Sequence, residues 1–228
     1  MISKLTSYKT IIFDCDGVIL NSNKVKTQAF YDLAKPWGLE AQKLLKDYHV
    51  NNGGISRHKK ISYLLSTILP SLSINISSEE SQFLYANLLE QYADFVYQGL
   101  SSCEVSPALK LLREHTPHSQ WSVVSGGDQA ELNRLFKERN LSFYFDSGIF
   151  GSPDDKQLIL NREFKNKNFK NPSLFIGDSK YDYVSAASAN IDFLFLSSWT
   201  EFKDWEAFIS EHQISFLPSL SSLVDFSC

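Results

Sequence analysis

Thr10-Ile11-Ile12-Phe13-Asp14-Cys15-Asp16-Gly17 opens the first regular element of the chain. A short β-branched and aromatic run without polar alternation is the pattern of a strand buried on both faces. The run ends in two carboxylates. Ligands of open α/β sheets bind at the carboxyl ends of the strands, so Asp14 and Asp16 are candidate site residues.

Further along, the same pattern returns. Trp121-Ser122-Val123-Val124 reads as a strand running into Ser125-Gly126-Gly127, and Ser173-Leu174-Phe175-Ile176 as one running into Gly177-Asp178. Asp192-Phe193-Leu194-Phe195-Leu196 is another, and residues 143–150 hold a short strand or turn. Helices are expected over 107–114, 128–139, 155–164 and 181–189, followed by a helix-rich tail. Residues 161–171, rich in Lys and Asn, are expected to be an exposed loop. Alternating strands and helices predict a mostly parallel sheet with helices on both faces.

Residues 24–98 break the alternation, with no strand among them. Helices are expected over 24–34, 40–50 and 56–69, the last stopping before Pro70. Ser77 and Glu80 form a capping-box pattern, and the helix behind it should bury Leu84, Leu88, Tyr92 and Phe95. The predicted fold is α/β, a Rossmann-like parallel-sheet core from residues 1–21 and 100–228, with an inserted all-helical domain over 22–99.

The 228 residues carry 43% hydrophobic and 21% charged side chains, ordinary for a soluble globular protein. A net charge of −4 argues against nucleic acid as the main partner. Three widely spaced cysteines, Cys15, Cys103 and Cys228, form neither a zinc pattern nor a disulfide framework. No apolar run reaches membrane-spanning length, and the first ten residues lack the apolar stretch of a signal peptide. A cytoplasmic protein with no membrane partner is expected; the oligomeric state is not legible.

In a parallel sheet the three polar strand ends, Asp14 with Asp16, Ser125 with its glycines, and Asp178 with Asp182, share one edge. These are the parts phosphoryl transfer needs. Mg²⁺, which prefers hard oxygen ligands, would neutralise a phosphate dianion facing a carboxylate nucleophile. Ser125 offers a hydroxyl, and Gly126 and Gly127 offer bare amides at the start of a helix. Lys156 is the candidate cation, ahead of Lys165, Lys167 and Lys170.

Together these motifs resemble the haloacid dehalogenase-like superfamily of phosphatases. The residues that carry the resemblance are Asp14-Cys15-Asp16-Gly17-Val18, Ser125, Lys156 in Gly151-Ser152-Pro153-Asp154-Asp155-Lys156, and Gly177-Asp178-Ser179-Lys180-Tyr181-Asp182. The helical insert is similar to the small cap of phosphoglycolate-phosphatase-like members. The resemblance implies that Asp14 attacks phosphorus and becomes an aspartyl-phosphate. It implies that Asp16 is the general acid and then the base, with its carbonyl on Mg²⁺. Ser125 and Lys156 would hold the phosphoryl group, and Asp178 the metal. Asp182 would support the metal's water shell or orient Lys156. A second carboxylate beside Asp16 is expected to favour its protonated form.

In the insert, Asn51-Asn52-Gly53-Gly54-Ile55-Ser56-Arg57 is expected to reach over the site. Gly54 and Arg57 are the candidate substrate contacts, with Arg57 meeting a carboxylate or a second phosphate; Lys60 is expected to face water. Cys15 reads as a small packed residue, and His49, His58 and His115 as surface or satisfied groups. The expected activity is Mg²⁺-dependent hydrolysis of a small phosphorylated metabolite. The alternatives are a phosphomutase and a receiver-like signalling module.

Overall fold

Strand β1, Thr10–Phe13, shows why its sequence lacks alternation. Ile11 and Phe13 enter one hydrophobic cluster and Ile12 enters another, on the opposite face. In the computed structural model, which describes residues 5–224, β1 lies at the centre of a sheet. Its neighbours are β2 (Gln120–Asp128) and β4 (Ser173–Gly177). With β3 (Ile149–Ser152), β5 (Asp192–Leu196) and β6 (Ser215–Leu217), the order is β3-β2-β1-β4-β5-β6, and every pairing is parallel. The order reverses between β1 and β4, which opens a crevice beyond the end of β1.

Between β1 and β2 the regular structure is helical. Helix α1 spans Asn23–Leu33 and α2 spans Gly38–Asn51. Helix α3, Arg57–Tyr63, runs into a π turn, Leu64–Ile68, and an α turn, Leu69–Ser71. Pro70 therefore lies inside the helical run, where a stop before it was expected. It falls in the first turn of the new α segment, where a missing amide hydrogen costs least. Helix α4, Ser78–Ser102, begins with the expected capping box. Its buried stripe is Leu88, Tyr92, Val96 and Leu100, four residues apart, with Leu84 packed at its edge. Phe95, expected in that stripe, is 48% exposed because Val96 takes the inward position.

The remaining helices are α5 (Leu109–His115), α6 (Gln129–Glu138), α7 (Lys156–Lys165), α8 (Lys180–Ser188), α9 (Trp205–Glu211) and α10 (Ser221–Val224). Three expectations need correction. Residues 161–165 continue α7, with Glu163 buried, and Phe169 beyond it is buried too. Strand β6 lies inside the tail read as helical; it has three residues at the sheet edge and only Leu217 is buried. Strand β2 runs nine residues and includes Ser125, Gly126 and Gly127; the strand was expected to end there, with the two glycines at the start of a helix. The next helix starts at Gln129, and the Asp128 carboxylate accepts from the Ala130 and Glu131 amides at its head. That carboxylate occupies the anion site which the glycines were expected to share.

Among the described residues no helix is long and apolar enough to cross a membrane. Cys228 lies outside the described residues.

Candidate active site

Asp14 follows β1 directly, and its amide bonds the Ile176 carbonyl of β4 at 2.9 Å. Its carboxylate points into the crevice, where Oδ1 accepts from the Cys15 amide at 2.7 Å. Lys156 Nζ stands 2.9 Å from the same oxygen and 2.5 Å from Asp182 Oδ1. Lys156 is the first residue of α7, and its ammonium is 1% exposed. Sequence-distant parts thus meet because parallel strands end along one edge.

Asp178 ends the β4 stretch and is 5% exposed. Asn23 Nδ2, from α1, donates to its Oδ2 at 2.7 Å. The Thr200 hydroxyl donates to its carbonyl at 2.6 Å. Asp182 is fully buried, and its Oδ2 accepts from the Asp178 and Ser179 amides and the Ser179 hydroxyl. That arrangement is the capping box of α8. With Oδ1 on Lys156, Asp182 has both oxygens engaged and holds the lysine toward Asp14.

Asp14, Asp178 and Asp182 present carboxylate oxygens all within 4.8 Å of one another. Among the described residues Lys156 is the one ammonium bonded to this group. Burial, then repulsion from Asp182 and Asp16 against the pull of Lys156, pushes the Asp14 carboxyl up to about 7. Burial first, then Asp182 and Asp14, pushes Asp178 well above its ordinary value. Buried, oxygen-only and short of positive charge, the cluster suits a hard divalent cation.

Gly17 permits the close approach of Asp178. Its φ is +75°, and a Cβ there would lie 2.0 Å from Asp178 Oδ2. No residue but glycine fits both demands.

Asp16 departs from expectation. Lys26 Nζ pairs with its Oδ2, and the Ser22 hydroxyl donates to Oδ1 at 2.5 Å. Burial alone would raise its carboxyl, but Lys26 and Ser22 outweigh it and hold it below the ordinary value. The protonated form expected from the neighbouring carboxylate is therefore not the favoured one. Its side chain also lies outside the three-carboxylate group.

A cavity of about 250 Å³ opens over these groups, walled by Asp14, Asp16, Gly126, Gly127 and Asp178 on the sheet side. Ser125 lies behind that wall, fully buried, with its Oγ accepting from the Gly127 amide at 3.0 Å. The insert closes the other side with Gly53, Gly54, Arg57 and Lys60. Gly54 (φ +82°) sits where a Cβ would lie 2.8 Å from Ser179 Oγ, and its carbonyl abuts Gly126. The loop thus seals directly onto two strand ends.

Arg57 is 7% exposed, and its guanidinium takes both oxygens of Glu131 on α6 while lying over the Tyr92 ring. The guanidinium expected to receive substrate is already engaged. Lys60, expected to face water, is 2% exposed and bonds His49 Nδ1 at 2.7 Å. Asn23, Lys26, His49 and Thr200 also line this cavity and were not singled out from sequence as site residues. Cys15 is packed, and burial pushes its thiol well above its ordinary value.

Solved structures share this architecture at low identity. One, described as a predicted phosphoglycolate phosphatase from Haemophilus somnus, is 15% identical with a TM-score of 0.72, over 97% of this chain and 99% of its own. A predicted phosphatase from Clostridium acetobutylicum is 17% identical with a TM-score of 0.69, over 95% and 96%. A hydrolase from Pseudomonas syringae gives the same identity, TM-score and coverage. At such identities the likeness is one of fold. No curated protein matches the sequence. The family model of the haloacid dehalogenase-like hydrolases matches residues 8–190, which contain Asp14, Lys156, Asp178 and Asp182, and the chain belongs to that family.

Proposed function

We propose that the protein is a Mg²⁺-dependent phosphomonoester hydrolase that works through an aspartyl-phosphate on Asp14. The observation that carries this reading is the Asp14 carboxylate, fixed at the end of the central strand, 2.9 Å from a buried ammonium and facing a cavity. The names of the solved relatives from Haemophilus somnus and Clostridium acetobutylicum favour a phosphatase within the family.

Asp14 and Asp178, with the Asp16 carbonyl, would hold the cation. Bound there, Mg²⁺ supplies positive charge that offsets the carboxylates and the phosphoryl oxygens. Lys156 holds a phosphoryl oxygen and keeps Asp14 in place. On the sheet side of the cavity the Gly126 amide is the donor left for another oxygen, while Ser125, behind the wall, braces that turn by accepting from the Gly127 amide. An Asp14 oxygen attacks phosphorus, and the ester P–O bond breaks as the leaving oxygen takes a proton from Asp16. Asp16 rests as a carboxylate beside Lys26, and an arriving phosphate dianion favours its protonation. In the second half Asp16 takes a proton from water. That water attacks phosphorus, releasing phosphate and the free Asp14 carboxylate.

Residues 22–99 act as a cap over a core of 1–21 and 100–228, with the Gly54 loop as the seal. A cavity of this size suits a small metabolite phosphate. Hydrolysis of an aryl phosphate tests the reading: turnover with Mg²⁺, loss of it with chelator, and recovery on adding Mg²⁺ back are expected. Equal rates with and without chelator would sink the metal assignment, and no turnover at all would sink the phosphatase.

A further inference from the structure

Four cationic side chains line the cavity: Lys26, Arg57, Lys60 and Lys180. Lys26 is paired with Asp16 and Arg57 with Glu131. Lys180 is exposed, and its ammonium lies over the Phe208 ring. Lys60 differs from all three. It is 2% exposed, and no ion pair among the described residues includes it.

Its hydrogen-bond partner is His49 Nδ1, and its ammonium stands 5.3 Å from the Phe30 ring centre. His49 is no counter-ion. Burial first, then Lys60 and Lys26, pushes its pKa well below the ordinary value, so the ring is a neutral acceptor. The charges acting on Lys60 are Lys26 and Lys156, which repel it, and Asp16 and Glu201, which attract it. Both carboxylates are engaged elsewhere: Asp16 by Lys26 and Ser22, and Glu201 by the Thr27 hydroxyl.

A buried ammonium without a counter-ion costs stability, and an apolar residue would fill the space at no such cost. Burial without a counter-ion weakens the hold of Lys60 on its proton, and an anion entering the cavity would restore its charge. A volume of about 250 Å³ is roughly eight water volumes, room for a phosphoryl group and a short carbon chain.

We propose that Lys60 seats a second anionic group on the substrate's leaving alcohol, so that the preferred substrates are small phosphomonoesters bearing a carboxylate or a second phosphate. The proposal rests on the phosphatase reading and specifies its substrate class. Lys60 takes the part that the sequence offered to Arg57, whose guanidinium is tied to α6.

Equilibrium binding to the Asp14→Asn protein with Mg²⁺ tests the proposal without turnover. Three probes are compared by calorimetry: 3-phosphoglycerate, glycerol 3-phosphate and 1,3-propanediol bisphosphate. The first two differ by a carboxylate against a neutral hydroxymethyl group, and the third offers a second phosphate. The carboxylate or the bisphosphate probe is expected to bind at least about tenfold tighter than glycerol 3-phosphate. The tighter of the two identifies the anion. Adding Lys60→Met should remove the difference, and Lys60→Arg should retain part of it. Lys60→Met keeps the chain length and removes a buried charge, so its melting temperature should not fall. Equal binding of the three probes, no binding of any, or discrimination that survives Lys60→Met would overturn the proposal. Aryl phosphate turnover by the wild type decides the phosphatase reading separately.

Discussion

Asp14 carries a carboxyl that burial raises to about 7, and Lys156 bonds it directly. Lys60 is the opposite case, a buried lysine with no carboxylate bonded to it among the described residues. Burial, followed by repulsion from Lys26, lowers its pKa from 10.5 to about 7. In the unfolded chain a lysine keeps its proton to about 10.4. Between these values the unfolded state binds more protons, so at this residue stability rises with pH from about 7 to about 10.4. Below about 7 both states are charged and the full cost remains. The Lys60→Met protein should therefore exceed the wild type in stability most at about pH 6.5, and by less at about pH 9.5. Urea melts at the two pH values check this. A margin that does not change with pH would mean the ammonium is not desolvated.

At the level of elements, Arg57 and Glu131 tie the insert's α3 to the core's α6. Glu131→Gln leaves the Arg57 guanidinium buried over Tyr92 without its countercharge. A loss of about 3 kcal/mol is expected, the low end for a broken buried pair because Glu131 keeps 18% exposure. Thermal melting should show a drop of several degrees, and an unchanged midpoint would mean the pair does not hold in solution. Asp14 and Asp178 were legible as neighbours because strand direction alone puts the ends of β1 and β4 on one edge, whereas Ser125, read beside them, lies inside β2 and behind the cavity wall. The helical residues of the site were not legible. Lys26 precedes buried Phe30 by four, Lys60 precedes buried Leu64 by four, and His49 follows buried Leu45 by four. Each polar group thus heads or ends an apolar stripe, a signal the sequence holds. What the stripe faces is decided by packing against other elements, which periodicity does not report. Strand β6 and the π turn before Pro70 escaped for another reason: three residues and five residues are too short to establish a period.

For the whole molecule, the sheet order puts β2, β1 and β4 side by side, and the insert lowers its Gly54 loop onto the ends of the outer two. The α/β core and the helical insert were both readable from the alternation of elements and its interruption. The way the insert closes was not, because Gly54 meets Gly126 and Ser179 only once all the strands are in place. This closure leaves a cavity of about 250 Å³ over Asp14, and the proposed attack on a phosphoryl group would take place there. The most direct measurement is peptide mass mapping of enzyme quenched in acid during turnover of an aryl phosphate. One added phosphoryl group on the peptide containing Asp14, absent from the Asp14→Asn protein, is the predicted result. Steady turnover with no phosphoryl group on that peptide, or with the group on another residue, would contradict the account.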